Sequence, residues 1–330
     1  MTDAQLPLRL DVPARRRRGK PAPAPGTVCK NERGQTHRIA APGDDGELQS
    51  VLAWLRAQDG LPERIGDAIE DAIYYVLDGW RTYRFDFLDE RVDSDERRSL
   101  GTKLQYHVIE SLELEKKKHP DTEICGVGVE IKGTIRSNWA IPTEGQCGVT
   151  MLHRVDVEKG RHKTWLMRAH RAWLNDGMNK DGKRGIRVQA LEDYAIPLYE
   201  WHNLRPNPLS LLTEAQQAVV FGEAGQQERL KALFNDLPEV VIPRAVILTV
   251  CANRTDPIRR VRAIRPQMRR QGLALLCGQW VAQREIAGRL GYDLTGAAWV
   301  AVPWSAFMGF GAWTRAALEQ MDPTHRWAYQ

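Results

Sequence analysis

A chain of 330 residues with 42% hydrophobic and 27% charged side chains is close to the globular average, so it can bury real cores and has room for two domains. Its longest apolar runs, such as Ala245–Val250, fall far short of the roughly 18 residues needed to cross a bilayer, and no apolar stretch follows the Arg15–Arg18 run as a signal peptide requires. The net charge of +5 is mild but unevenly laid out: residues 1–45 carry 9 Lys/Arg against 5 Asp/Glu, residues 46–204 carry 23 against 27, and residues 205–330 carry 15 against 10. Basic ends around an acidic centre are compatible with a polyanion held about a metal-dependent site.

Residues 1–45 are rich in Pro, Arg, Ala and Gly, with few large apolar side chains to offset the entropy of ordering, and are expected to be a disordered basic arm. From Glu47 the periodicity is helical, with Leu48, Val51, Leu52 and Leu55 on one face. A second helix follows Pro62 with the stripe Ile65, Ile69, Ile73 and Val76, and a third is predicted from about Leu100 to Lys117 with Leu104, Val108, Ile109 and Leu112. The pattern then turns to short strands: Ile124-Cys125-Gly126 and Val127–Lys132 with a glycine-marked turn or bulge, then Gly148–Leu152 and Thr164–Met167. Pro206-Asn207-Pro208 closes a break that begins at Trp201. Beyond it are predicted a helix over Gln226–Phe234, a strand over Glu239–Cys251, an arginine-rich stretch, a strand over Leu273–Cys277, a short helix over Gln283–Leu290 and a last strand over Trp299–Val302.

The five cysteines, Cys29, Cys125, Cys147, Cys251 and Cys277, are isolated and form no CxxC or Cys/His metal spacing. Cys125 and Cys251 lie in apolar stretches and read as small buried hydrophobes. The expectation is a reduced, cytoplasmic protein without structural zinc.

The most informative feature is His119-Pro120-Asp121 followed, after a spacer, by Glu130-Ile131-Lys132. In a strand Glu130 and Lys132 share one face while Val129 and Ile131 point to the core, and Asp121 comes alongside Glu130 if the two strands pair. Two carboxylates so close repel unless a cation lies between them, and hard oxygen donors of this kind suit Mg²⁺. A lysine two residues on can hold or deprotonate an attacking water and steady the charge that develops at phosphorus, which together make a phosphodiester-hydrolysing site. The spacing alone is equally that of an amphipathic strand with one exposed salt bridge. Gln105 lies in the middle of the third helix's apolar stripe, and an inward polar residue needs a partner.

The surrounding motifs carry a resemblance. Asp78-Gly79-Trp80-Arg81-Thr82, Leu100-Gly101-Thr102, the Asp121–Lys132 stretch and Trp139-Ala140-Ile141-Pro142 stand in the order and at the spacing of the NaeI family of type II restriction endonucleases, within the PD-(D/E)xK nucleases. Gly225-Gln226, Arg229-Leu230, Leu233-Phe234, Arg244-Ala245-Val246-Ile247 and Arg260-Val261-Arg262 resemble the second domain of that family, so the similarity runs from about Ile69 to Pro303. Asp78-Gly79-Trp80-Arg81 is also similar to the KxDGxR signature of DNA ligases, but Val76 stands where the nucleophilic lysine would be, and a glycine-capped helix end accounts for the segment.

The resemblance implies an α/β fold: a restriction-endonuclease-like mixed sheet flanked by helices over residues 46–200, a linker over 201–208, and a winged-helix (topoisomerase- and activator-like) DNA-binding domain over 209–330. It implies that Asp121 and Glu130 bind Mg²⁺ and that Lys132 is the catalytic lysine. Gln105 stands where the family has a further active-site carboxylate, which leaves open one metal or two. Arg259, Arg260, Arg262, Arg265, Arg269 and Arg270, together with Arg254, form a cluster compensated only by Asp256 and are expected to contact DNA phosphates beside a helix-turn-helix or winged helix. The expected partners are double-stranded DNA in two copies per protomer, the second an effector site, a second protomer in a homodimer, and a cognate methyltransferase acting on the same site, with no membrane. Two rival readings stay open on the sequence: a nicking repair endonuclease of the MutH kind, and a DNA-binding module whose nuclease site has lapsed.

Overall fold

The computed structural model describes residues 21–252 and 255–321, so the Arg15–Arg18 run and Arg254 lie outside the described residues. Residues 21–45, expected to be disordered, instead carry an antiparallel hairpin of β1 (Val28–Lys30) and β2 (Thr36–Arg38). The segment has no core of its own and borrows one: Cys29 and Ile39 are buried among Trp139, Trp173 and Leu152, and the Trp173 indole donates to the Pro23 carbonyl at 2.9 Å.

Helix α1 (Gly46–Arg56) is capped by Asp45, which accepts from the Leu48 amide, and it buries the four apolar residues its periodicity predicted. Helix α2 (Leu61–Leu77) ends on Asp78 at φ +44°, so the left-handed cap is Asp78 and not the glycine after it. Gly79 opens the short α3 (Gly79–Thr82) and answers a different need: a Cβ there would lie 2.3 Å from Thr249 Oγ1 and 2.7 Å from the Arg84 carbonyl oxygen. Helix α4 runs over Ser94–Ser111, starting earlier than its apolar stripe because Asp93 and Glu96 form a capping box ahead of it.

The strands β3 (Thr122–Ile124) and β4 (Val127–Thr134) are joined by Cys125-Gly126, both at positive φ, the two-residue turn that suits a tight hairpin. Cys125 is therefore exposed at a turn, not buried as its neighbours implied. After β5 (Ala140–Ile141) come β6 (Val149–Asp156), β7 (Arg161–Arg168), β8 (Arg184–Gly185, paired with β5), α5 (Val188–Tyr194), β9 (Ile196–Pro197) and β10 (His202–Asn203). The main sheet has the order β10-β7-β6-β4-β3 with β9 also on β7, and the β4–β6 pair is its parallel step. Residues 202–203, expected in a linker, are thus an edge strand of this sheet. One face of the sheet packs Val129, Ile131, Val149 and Met151 against α1, α2 and α4, and the other face carries Leu152 and Met167 under the N-terminal hairpin and Trp173. This is a central mixed sheet flanked by helices, consistent with a restriction-endonuclease-like fold.

The second unit comprises α6 (Glu214–Val220), α7 (Gln226–Asp236), α8 (Arg244–Cys251), α9 (Pro257–Arg270), β11 (Leu273–Cys277), α10 (Val281–Arg289), β12 (Trp299–Pro303), α11 (Trp304–Met308) and α12 (Ala312–Met321). The strand predicted over Glu239–Cys251 is corrected. Only its start is extended, where Ile242 bridges Trp299, and Pro243 then opens helix α8. A continuous apolar run of this length does not distinguish a buried helix from a buried strand, and with Val246, Ile247, Val250 and Cys251 all buried, α8 is hydrophobic almost all round. Among the described residues no helix is long and apolar enough to cross a membrane.

Candidate active site

The register of β3 on β4 pairs Thr122 with Val129, which sets Asp121 opposite Glu130. Both carboxylates are nearly enclosed, Asp121 at 6% and Glu130 at 4% exposure. Alternation along β4 sends Val129 and Ile131 into the core and turns Glu130 and Lys132 to the other face. Lys132 Nζ lies 2.8 Å from Glu130 Oε1 and 3.6 Å from Asp121 Oδ2, so one ammonium bridges the two acids. Asp121 Oδ2 also accepts from the Ile131 amide at 2.8 Å, a bond that fixes the carboxylate to the strand bearing its partner.

Gln105 joins this group from α4. Its Nε2 donates to Asp121 Oδ1. The helix comes near enough because α4 and β4 meet through two glycines: a Cβ on Gly101 would stand 2.8 Å from the Gly133 carbonyl oxygen, and one on Gly133 would stand 3.2 Å from Gly101 Cα. Gln105 is one helical turn beyond Gly101, so the glycine contact sets its reach. The partner that the inward glutamine needed is thus the carboxylate itself.

Lys116 was not expected at this site. Its Nζ lies 3.2 Å from Asp121 Oδ1. It sits in the Lys116-Lys117-Lys118 run, which on sequence looks like a solvated charge cluster, and only the return of the chain into β3 brings it to the acid. The Pro142–Gly148 loop closes the other side, with Gly145 placed so that a Cβ would be 3.6 Å from Glu130 Oε1. Asp121 and Glu130 bring together hard carboxylate oxygens of the kind that suit Mg²⁺, and their negative charge is here met by Lys132, Lys116 and the Gln105 and Ile131 amides.

The arginines expected to contact DNA separate into three kinds. Helix α9 buries Val261, Ile264, Arg265 and Met268 on one face and exposes Arg259, Arg260, Arg262 and Arg270. Arg269 is half-buried with its guanidinium 4.5 Å from the Trp304 ring centroid. Arg265 departs from the expectation altogether. It is 6% exposed, bonds Gln283 Oε1 at 3.0 Å, and lies 5.0 Å from the centroids of both Trp280 and Trp299. It falls on the apolar stripe of its own helix, where a long side chain goes inward whatever its charge.

A profile of the family described as restriction endonuclease NaeI matches residues 49–298, more than half of the chain. The chain belongs to the NaeI restriction endonuclease family. That family is one of site-specific deoxyribonucleases, hydrolases of restriction–modification systems. The chain is also 25% identical over 250 residues to the type II restriction enzyme NaeI of Lentzea aerocolonigenes, an alignment covering 72% of this chain and 77% of that enzyme. The matched stretch includes all of Gln105, Asp121, Glu130, Lys132 and the arginines of α9.

Proposed function

We propose that this chain is a Mg²⁺-dependent, sequence-specific endonuclease that cuts both strands of DNA as a homodimer and binds a second, effector copy of its site through the C-terminal unit. The observation that carries the reading is the meeting of Asp121, Glu130 and Lys132 across β3 and β4 at 2.8 and 3.6 Å. Asp121 and Glu130 would hold the metal, which when bound supplies Lewis acidity toward the scissile phosphate and lowers the pKa of a bound water. The Ile131 amide orients Asp121, and the Gln105 amide occupies the place of a further carboxylate, donating where an acid would add negative charge. Lys132 Nζ holds the attacking water and its proton, and offers positive charge to the phosphate oxygens as negative charge accumulates there. Two such sites related by a two-fold axis would address the two strands of a palindrome.

The order of elements in the C-terminal unit supports a winged helix. Helix α7 leads to a short segment whose Ile242 bridges Trp299 of β12, then to helices α8 and α9 and the β11–β12 ribbon. In this reading α9 is the helix offered to DNA, with Arg259, Arg260, Arg262 and Arg270 outward and α10 inserted in the wing. A cognate methyltransferase acting on the same site would protect the host's own DNA.

Incubation of methylated and unmethylated plasmid and genomic DNA with the protein and Mg²⁺ tests the proposal. Discrete double-strand fragments are expected, and Lys132→Ala should lose cleavage while keeping DNA binding. Nicked circles alone would favour the repair nuclease. DNA binding without cleavage of any substrate would make the chain a binding module.

A further inference from the structure

Two Cys–His pairs, remote from each other in sequence, converge beside the sheet. In the N-terminal hairpin Cys29 and His37 are direct cross-strand partners. At the end of β6 and β7 the ladder continues past Val149 and Arg168, with the Cys147 amide bonding the Ala169 carbonyl at 2.8 Å, which sets Cys147 opposite His170. The two pairs face each other. One donor atom from each of the four side chains lies within 4.8 Å of all the others, the one such group among the described residues. Cys29 Sγ and Cys147 Sγ are 3.8 Å apart, and His37 Nε2 and His170 Nδ1 are 2.8 Å apart.

These distances can be set against a tetrahedral ion. Bond lengths of about 2.3 Å to sulfur and about 2.05 Å to nitrogen place two sulfurs about 3.8 Å apart and two nitrogens about 3.3 Å apart. The sulfurs already match, and the imidazole nitrogens need to open by about 0.5 Å, within the reach of side-chain rotation. The Arg171 amide points at Cys147 Sγ and the Ala172 amide at Cys29 Sγ, both at 3.4 Å, and such donors stabilise thiolate. Cys147 itself sits at φ +66°, a left-handed conformation kept in place by its ladder bond to Ala169.

We propose that Cys29, His37, Cys147 and His170 bind one Zn²⁺ as a structural site that fastens the N-terminal hairpin to the catalytic unit. Two soft sulfurs and two imidazoles select zinc over Mg²⁺, which takes oxygen donors, so the site is distinct from the Asp121–Glu130 centre. The linear spacing concealed it because each pair is formed by β-pairing and not by neighbouring sequence positions. The hairpin is already tied to the same loop by the Gln146 side chain, which donates to Glu32 Oε2 at 2.9 Å and accepts from the Glu32 amide at 3.1 Å. Since Gly145 of that loop abuts Glu130, the four ligands would act on catalysis only as positioning residues.

The test is the metal content of the full-length protein, purified without chelator and dialysed against Mg²⁺. One zinc per chain is expected. Cys29→Ser and Cys147→Ser should lower it by about tenfold or more, His37→Cys should retain it, and Asp121→Ala should leave it unchanged. Cobalt-substituted protein should show thiolate-to-cobalt absorption that Cys29→Ser removes. If the serine variants fail to fold, zinc release during thiol modification of the protein in a Cys125→Ser background should follow the loss of two thiols. A folded protein that carries no zinc and takes none up on titration would overturn the proposal, leaving a hydrogen-bonded polar cluster. So would a Cys29–Cys147 disulfide in the metal-free, folded chain, or zinc content indifferent to Cys29→Ser.

Discussion

Replacing Gly101 by alanine sets two effects of known sign against each other. In a helix interior alanine is favoured over glycine by about 0.5–1 kcal/mol, so a site with room should gain stability. Here the new Cβ would lie 2.8 Å from the Gly133 carbonyl oxygen and 3.5 Å from its carbon. The obstacle is backbone, which cannot swing aside, so α4 and β4 must part by about 0.6 Å to reach ordinary contact, and overpacking of that kind costs about 1–3 kcal/mol. The clash therefore wins, with a net loss of about 0.5–2 kcal/mol in urea unfolding of Gly101→Ala. Gly288 in α10 is the control, because a Cβ there meets nothing within 4 Å, and Gly288→Ala should gain about 0.5–1 kcal/mol. The same parting draws Gln105 away from Asp121, so Gly101→Ala should also cut more slowly. If Gly101→Ala proves as stable as the parent while Gly288→Ala gains as expected, the backbone seam and the reach it gives Gln105 are wrong.

Gln105→Glu removes the donor on Asp121 and sets a third acid beside it. The variant should be less stable by about 1–3 kcal/mol without divalent metal, recover more than the parent when Mg²⁺ is added, and keep or raise its cleavage activity; a complete loss of cleavage would mean the glutamine is adapted to its place. Arg265→Ala should unfold at lower urea yet leave the salt dependence of DNA binding unchanged, whereas Arg262→Ala should do the reverse, and exchange of the two phenotypes would refute the inward placement of Arg265. Burial, aided by the charge of His162, pushes His153 from 6.5 down to about 3, so the folded protein keeps it neutral. The unfolded chain takes up a proton first, so the stability His153 contributes is full above pH 6.5 and is lost as pH falls toward about 3. Urea midpoints of His153→Gln should fall less steeply over that range, and parallel slopes would discount the assignment.

Much of the catalytic unit was legible in the sequence because its signals are local. The stripe of α1, the alternation in β4 and the chain break marked by Gly126 each follow from neighbouring residues, and Asp121 could be set beside Glu130 from strand pairing alone. What stayed hidden depends on distant chain. Residues 21–45 were poor in apolar side chains and found their core on another element, and Lys116 reached Asp121 only through the turn into β3. Helix α8 went unseen for a different reason. A run of branched apolar residues satisfies strand and helix equally when every side is buried, and the signal that separates them is Pro243, which stands at the N-cap and cannot continue a central strand.

The inward turn of Arg265 also bears on how tightly this protein could hold DNA as ions are added. Each phosphate neutralised releases condensed counterions and steepens the fall of affinity with salt by about 0.9 on logarithmic axes. Six arginines on one helix would predict a very steep fall. With Arg265 buried against two indoles and Arg269 laid on a third, four outward guanidiniums of α9 remain available for phosphates in the proposed reading. In that reading the helix then contributes a slope of about −4 in place of about −5, so its hold on a duplex starts from fewer ion-releasing contacts at low salt and weakens less steeply as salt is added.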